Sequence, residues 1–210
     1  MDQAKPNSCD TERLLRQAQG GDGQAFEDLF ARHRAYLRQV VAVRLDPRIR
    51  PRLDPSDVVQ EAQLDAFRRF GDFLERRPMS FRLWLRKTTC ERLLMLRRYH
   101  RNAARRSVDK EVGLPDGSAF ILVNQLLAGG SAPSQRLQRS ESARRIRNVM
   151  AQLQEADREI LLMRNLEALS NQEVAEVLQI EPSAASQRYG RALLRLRKLL
   201  QANGLMESQR

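Results

Sequence analysis

Hydrophobic residues recur every three or four positions along most of the chain, which is the spacing of α-helices. Near the start, Asp10 can cap a short helix over Thr11–Gln19, and Gly20-Gly21 ends it. Asp22 then caps a longer helix with a continuous apolar seam, formed by Phe26, Leu29, Phe30, Leu37, Val40 and Val41. The pattern predicts an all-α protein.

A loop rich in Arg and Pro separates these helices from the next pair. It runs from Arg44 to Pro55 and contains three prolines, which interrupt helices. A helix opened by Asp54 is then predicted to end at Gly71, followed by a loop over 72–79 and a further helix from about Ser80.

The helix opened by Asp54 has two distinct faces. Its core stripe comprises Val59, Ala62, Ala66 and Phe70. The positions off this stripe present a polar, acidic surface, formed by Asp57, Gln60, Glu61 and Leu64.

The stretch from Ser170 to Lys198 predicts two helices joined by a tight turn. Ser170 is placed as the N-cap of the first helix, and Glu173 three residues later gives the spacing of a capping box. Pro182 suits the first position of the second helix. That helix has an apolar face at helical spacing, formed by Ala185, Tyr189, Ala192, Leu193, Leu196 and Leu200.

Charge is segregated by sign across this helical pair. From Pro182 to Gln201 there are five basic residues and no acidic one, whereas Glu155 to Glu176 holds six acids against two arginines. A basic helix on an acidic scaffold is typical of a helix-turn-helix whose second helix enters the DNA major groove. An ordinary amphipathic hairpin with a solvated charged face is the alternative at this point.

A second basic stretch lies in the first half of the chain. Between Arg76 and Arg106 there are eleven Arg or Lys residues and one acid, Glu91. With Phe81 and Trp84 at its start, such a helix could hold a phosphate backbone and stack exposed bases. The alternative is a solvated helix end with Trp84 in the core.

The composition points to a polyanionic partner. The formal net charge is +11, which leaves nucleic acid and anionic membrane both open. No apolar run approaches the length of a membrane-spanning helix and the N-terminus lacks a signal-peptide core, so we expect a cytoplasmic protein without membrane insertion. The few Cys and His residues form no disulfide, zinc or catalytic constellation. We therefore expect no metal, no cofactor and no enzymatic activity.

The stretch from Ser107 to about Pro133 differs from both basic regions. It is faintly acidic and contains four glycines and two prolines, which predicts a flexible linker. The expected organisation is two helical domains, 10–106 and 134–203, joined by a linker at 107–133.

Two separate stretches resemble one family, the bacterial RNA polymerase sigma factors of the sigma-70 family. Similarity to region 2 lies in DPSDVVQEAQLDAFRRF and the following FRLWLRK, and similarity to region 4 in LQEADREILLMRNLEALSNQEVAEVLQIEPSAASQRYGRALLRLRKLL. A short linker with no region 3 resembles the extracytoplasmic-function (ECF) group. The resemblance implies two helical domains, region 2 and a region 4 with a helix-turn-helix.

The resemblance also implies a function and its residues. A sigma factor binds core RNA polymerase and directs promoter recognition, melting and transcription initiation. The implied contacts with the β′ clamp helices of core polymerase are Asp57, Gln60, Glu61 and Leu64. The implied −10 contacts are Arg76, Arg77, Trp84, Arg86 and Lys87, and the implied −35 contacts are Ser183, Ser186, Gln187, Arg188 and Arg191. The acidic scaffold would meet the β flap, the linker would thread the polymerase channel, and an anti-sigma factor stays open as a further partner.

Several positions depart from the family pattern. Gln179 stands where the family usually has a turn glycine, and Gly190 leaves a base-contact position without a side chain. Glu91 and Arg92 replace a common Asn-Leu pair in the −10 helix. These departures bear on the promoter sequence rather than on the class of protein.

Two other classes of function remain. A stand-alone helix-turn-helix regulator would explain residues 170–198 but would leave the acidic surface around Glu61 without a role. A hydrolase with a hard cation on Asp54, Asp57 and Glu61 would need a further acidic cluster, which the sequence lacks.

Overall fold

The structure of the chain, a computed structural model, describes residues 8–45, 53–104, 145–146 and 148–206. The regular secondary structure of these residues is helical, which confirms the predicted fold class. The predicted linker at 107–133 and the predicted start of the next helix at Ser134 lie outside the described residues.

The chain divides into two compact units. Unit 1 consists of Met1–Val41 and Leu53–Arg106, and unit 2 consists of Ala42–Arg52 and Ser107–Arg210. Among the described residues, 42–45 are grouped with unit 2 although they directly follow the unit 1 part of α2.

Unit 1 forms five helices, α1 to α5; α1 begins at Ser8, so Asp10 lies inside it rather than capping it, and α4 is a helix that the sequence did not predict. Asp22 caps α2, since its Oδ1 accepts the N–H of Gln24 at 3.0 Å. Asp54 caps α3 in the same way, accepting the N–H of Ser56 at 2.7 Å. The described bounds are α1 Ser8–Gln19, α2 Gly23–Ala42, α3 Pro55–Arg68, α4 Phe70–Arg76 and α5 Phe81–Ala104.

The region after α3 departs from the prediction. Helix α3 ends at Arg68, and Gly71 lies inside α4 rather than ending the preceding helix. The predicted loop at 72–79 is wrong over its first half, because α4 continues to Arg76. The burial of Phe70 and Phe73 outweighs the cost of about 1 kcal/mol that a glycine imposes inside a helix.

Aromatic side chains from three helices, α2, α4 and α5, form the centre of unit 1. The Phe73 ring stacks on Trp84 at a centroid distance of 4.6 Å, and Phe26 meets Phe70 edge-on at 5.1 Å. Phe81 lies between them, 5.5 Å from Phe73 and 6.1 Å from Phe70. This aromatic cluster fixes α4 and the start of α5 against α2, and thereby positions the residues between α4 and α5.

Unit 2 contains the predicted helix-turn-helix. After a helical stretch at 148–152, it forms α6 Glu155–Leu161, a π-helical turn Leu162–Leu166, α7 Asn171–Leu178 and α8 Pro182–Ala202. Helix α8 packs against α6 and α7. The core between them is apolar and includes Ile160, Leu161, Val174, Ala185, Ala192, Leu196 and Leu200.

Local signals set the ends of α7 and α8. The predicted capping box is confirmed: the Ser170 hydroxyl accepts the N–H of Glu173 at 3.1 Å, and the Glu173 carboxylate accepts the N–H of Ser170 at 2.7 Å. Gln179 has a left-handed backbone conformation, with φ of 54°, at the turn between the two helices. Helix α6 begins at Glu155, two residues before the predicted start at Asp157.

Candidate functional site

The four predicted polymerase contacts lie on one outer face of α3. Asp57 and Gln60 are exposed, and Leu64 is 59% exposed. The side chain of Glu61 is 38% exposed. The opposite side of α3, with Val58, Val59, Ala62 and Ala66, is buried in unit 1. The face therefore offers two carboxylates, an amide and a large apolar side chain to a partner.

Glu61 is engaged in an ion pair that the sequence did not indicate. The Nε of Arg92, on α5, donates to the Glu61 Oε2 at 2.7 Å. The Nη1 of Arg92 also lies 3.5 Å from the Oδ2 of Asp65, one turn further along α3. Arg92 thus connects α5 to the acidic face of α3.

Phe67 extends the same face and was missed in the sequence. It is 60% exposed, although its ring meets Phe26 edge-on at 5.2 Å. Its position three residues after Leu64 is the signal that could have identified it, since i and i+3 share a helical face. The two side chains form an exposed apolar ridge beside Gln60.

Two of the predicted −10 residues lie at the exposed junction of α4 and α5. Arg76 is the last residue of α4, and Arg77 follows it with a left-handed φ of 35°. Both side chains are exposed, and the Arg77 Nη1 lies 3.2 Å from the Glu12 Oε2 of α1. Lys87, on α5, is half-buried. Arg76 and Arg77 are therefore the exposed cations of this set.

Trp84 and Arg86 lie differently from the other predicted −10 residues. Trp84 is 9% exposed within the aromatic cluster, and Arg86 is 2% exposed. The first half of α5 is buried on several sides, as Leu83, Leu85, Thr88 and Thr89 show. In this conformation neither Trp84 nor Arg86 presents its side chain to DNA.

The five predicted −35 residues lie together on the first half of α8. Ser183, Ser186, Gln187 and Arg191 are exposed, and Arg188 is half-buried. Ser183, Gln187 and Arg191 follow one another at four-residue steps and form a single row. Such a row can present hydroxyl, amide and guanidinium groups to base edges and phosphates in a major groove.

Polar contacts hold α8 in a defined orientation on its scaffold. The Tyr189 hydroxyl donates to the Asn165 Oδ1 at 3.1 Å, and Arg164 lies over the Tyr189 ring at 5.3 Å. Further along the helix, the Arg195 guanidinium pairs with Asp157, whose side chain is 5% exposed. Arg195, which belongs to the basic set of this helix in the sequence, is thus engaged with the scaffold.

Two further residues characterise the exposed face of α8. A Cβ added at Gly190 would meet no atom within 4 Å, so packing inside the chain does not require the glycine. Leu194 is 61% exposed, one turn beyond Gly190. An exposed leucine next to arginines was not identified in the sequence as part of this face.

The acidic scaffold of unit 2 carries a buried ion-pair cluster. Arg44 is 6% exposed, and its Nη2 donates to the Glu159 Oε1 at 2.7 Å. It also pairs with Glu167, whose side chain is 1% exposed. Two of the acids that the sequence predicted to face the β flap are therefore neutralised within unit 2.

The hydrolase hypothesis finds no support in the part of the chain that the structure describes. Within those residues, no group of three or more His, Cys, Asp or Glu side chains could hold a metal ion. Asp54 caps α3 and Glu61 pairs with Arg92, so they do not form a common cation site with Asp57. Among the same residues, no helix is both long and apolar enough to cross a membrane.

Comparison with known proteins shows which family the chain is similar to. The profile of the family "Sigma-70, region 4" matches residues 143–196, which include α6, α7 and most of α8. RNA polymerase sigma factor CnrH of Cupriavidus metallidurans is 31% identical over 203 residues, covering 94% of this chain and 98% of that relative. The similarity therefore extends over both units.

Solved structures show the same fold. The structure of CnrH in complex with the cytosolic domain of CnrY covers 92% of this chain and 98% of its own, with a TM-score of 0.58 and 24% identity. Sigma factor RpoE in complex with the anti-sigma factor NepR from Bartonella quintana covers 84% and 96%, with a TM-score of 0.51 and 15% identity. Given the 31% identity to CnrH over nearly the full length of both proteins, the chain belongs to the sigma-70 family of bacterial RNA polymerase sigma factors, in its ECF group.

Proposed function

We propose that this protein binds core RNA polymerase and directs it to promoters, where it recognises and melts DNA and starts transcription. The observation that carries the proposal is the exposed face of α3, with Asp57, Gln60, Glu61 and Leu64 on one side of the helix. A protein that only bound duplex DNA through α8 would have no use for this face. Family membership supports the same function.

The α3 face has the chemistry of a docking surface for the β′ clamp helices. Its carboxylates can pair with basic side chains of the partner, and such pairs direct and orient association. Leu64 supplies the apolar contact, since burying a leucine side chain fully contributes about 1.5–3 kcal/mol. Polymerase docking would then bring α5 to the −10 element.

The −10 element is proposed to meet the junction of α4 and α5. Unstacking a base costs a few kcal/mol, so a melting protein must supply compensating contacts. Arg76, Arg77 and Lys87 can bind the backbone of the opened strand. Trp84 and Arg86 can take part only if their surroundings open, because they are 9% and 2% exposed.

The −35 element is proposed to meet the row on α8. Arg191 and Arg188 can bond guanine or clamp phosphate, and Gln187 can read adenine. Ser183 and Ser186 lie near the start of the helix, where hydroxyls and backbone N–H groups contact phosphate oxygens. The helix is presented as a rigid element because Tyr189 and Arg195 fix it to the scaffold.

The remaining assignments follow from this function. We propose that residues 10–106 act as region 2, 134–203 as region 4 and 107–133 as the linker in the polymerase channel. The acidic scaffold of region 4 would meet the β flap. The protein would act in the cytoplasm with polymerase and promoter DNA, without catalytic chemistry of its own. An anti-sigma factor is a further proposed partner, supported by the RpoE–NepR complex, whose sigma factor shares this fold.

The test compares two leucines that are equally exposed on helices. Leu64→Arg places a cation where a basic partner surface is proposed, while Leu194→Arg makes the same change on α8 at 61% exposure. We expect Leu64→Arg to weaken the binding of fluorescently labelled protein to core polymerase by about a hundredfold, which corresponds to about 3 kcal/mol of lost burial and added repulsion. Leu194→Arg should bind core polymerase like the wild type.

The outcomes separate the proposal from a stand-alone regulator. Wild-type affinity in Leu64→Arg would remove the α3 face from the docking surface. If the wild-type protein bound duplex DNA but did not co-purify with core polymerase, the regulator would be the better assignment.

A further inference from the structure

Arg92 occupies a position between the two helices that the proposed function uses. It belongs to α5, but its guanidinium contacts α3 through Glu61 at 2.7 Å and Asp65 at 3.5 Å. The Arg92 side chain is 27% exposed, Glu61 38% and Asp65 21%. The pair therefore lies at the edge of the docking face, where a partner can reach it.

The position of the ion pair determines how strongly Arg92 can hold Glu61. A buried and fully bonded pair would resist exchange, whereas a partly exposed pair contributes little net stability because water solvates both ions. A basic side chain of a docking partner can thus replace Arg92 at the Glu61 carboxylate. Until it does so, the positive charge of Arg92 reduces the attraction of this face for a basic surface.

We propose that Arg92 is a displaceable counter-ion of Glu61 that lowers the affinity of the free protein for core polymerase. This inference rests on the proposed function, because it assumes that the α3 face is where polymerase binds. Arg92 acts through Glu61 and is a positioning residue of the docking surface. Docking breaks the Arg92–Glu61 pair and leaves Arg92 with the longer contact to Asp65.

The chain offers a matched control for the loss of this arginine. The Arg69 Nη1 lies 3.0 Å from the Glu91 Oε2, with the two side chains 45% and 43% exposed. This pair also connects the end of α3 to α5, but it does not involve Glu61. Arg69→Leu therefore makes the same change of charge and residue type without freeing the docking carboxylate.

The experiment measures the affinity of full-length variants for core polymerase across a range of salt concentrations. We expect Arg92→Leu to bind about two- to fivefold more tightly than the wild type, the factor that corresponds to losing a partly exposed ion pair. Its affinity should also fall more steeply with salt, because Glu61 is no longer neutralised. Arg92→Lys should restore wild-type affinity, and Arg69→Leu should leave it unchanged.

Other outcomes overturn the inference. Equal or weaker binding by Arg92→Leu would assign Arg92 a purely structural role. Equal tightening by Arg92→Leu and Arg69→Leu would show an effect of net charge rather than competition at Glu61. If Leu64→Arg abolishes binding while Arg92→Leu does not tighten it, only this inference fails; if Leu64→Arg has no effect, the proposed function fails first.

Discussion

His33 makes the stability of unit 1 depend on pH below neutrality. Its side chain is 2% exposed in α2, and its ring lies 5.8 Å from the Phe81 ring. Burial, and then the positive charges of Arg82 and Arg32, lower the pKa of His33 from 6.5 to about 4. Its Nε2 has no hydrogen-bond partner among the described residues. The protonated ring would therefore be a buried cation with an unsatisfied donor.

The sign of the effect follows from proton uptake. Because the pKa of His33 is lower in the folded than in the unfolded chain, the unfolded chain takes up the proton first as the pH falls. The stability from neutral His33 is fully present above pH 6.5 and is lost as the pH falls towards 4. Between about pH 7.5 and pH 5 the free energy of unfolding should fall by about 2 kcal/mol from this group alone, and by about 3 kcal/mol at pH 4.

Trp84 provides a measurement that is specific to unit 1. It is the single tryptophan of the chain and is buried in the aromatic cluster. Its fluorescence during urea denaturation therefore follows the unfolding of unit 1. The free energy of unfolding is obtained from such curves at a series of pH values between about 7.5 and 5 for the wild type and for His33→Leu.

The comparison with His33→Leu isolates the histidine from other titrating groups. Leucine has a side chain of similar size that is apolar, so the substitution removes the unsatisfied nitrogen. This variant should therefore fold at all these pH values. The wild type should lose about 2 kcal/mol more than His33→Leu between the two ends of the series. Parallel pH profiles for the two proteins would refute the assignment.

Three further predictions concern unit 2. Gln179→Gly should stabilise it by about 1 kcal/mol, measured by thermal denaturation, because glycine adopts the left-handed conformation without a Cβ penalty; no rise in Tm would contradict this. Arg191→Ala should weaken binding of the holoenzyme to −35 DNA by about 1–3 kcal/mol, the cost of losing one base contact. Lys198 is also exposed on α8, and Lys198→Ala should have a smaller effect. Arg44→Ala should destabilise unit 2 by about 3 kcal/mol, because Glu167 would stay buried without its counter-ion. Chemical denaturation followed by circular dichroism measures this loss, and an unchanged denaturation midpoint would contradict it.

The parts of the fold that depend on local chemistry could be predicted from the sequence. Asp22, Asp54 and Ser170 each cap the helix that follows, because a cap requires only a side-chain oxygen next to free backbone N–H groups. Pro182 begins α8 for a similar local reason. The exposed face of α3 also followed from helical periodicity alone.

The parts that depend on distant partners could not be predicted. Gly71 looked like a helix end, but the burial of Phe73 extends α4 past it. Arg195 looked like one more cation of the DNA-facing helix, and its partner Asp157 lies 38 residues earlier. Arg92 was identified as a departure from the family pattern, but its pairing with Glu61 depends on how α3 and α5 pack. Sequence periodicity assigns a face to a residue, whereas the choice of an ionic partner is a tertiary property.

The anchoring of α8 has a consequence for how promoter preference can change. Tyr189 and Arg195 attach the helix to its scaffold, while Ser183, Gln187 and Gly190 lie outside these contacts. For the proposed reading of the −35 element by α8, substitutions at the outer positions would therefore change the base contacts without tilting the helix. Redesign for a new promoter should begin at these three residues and leave the two anchors in place.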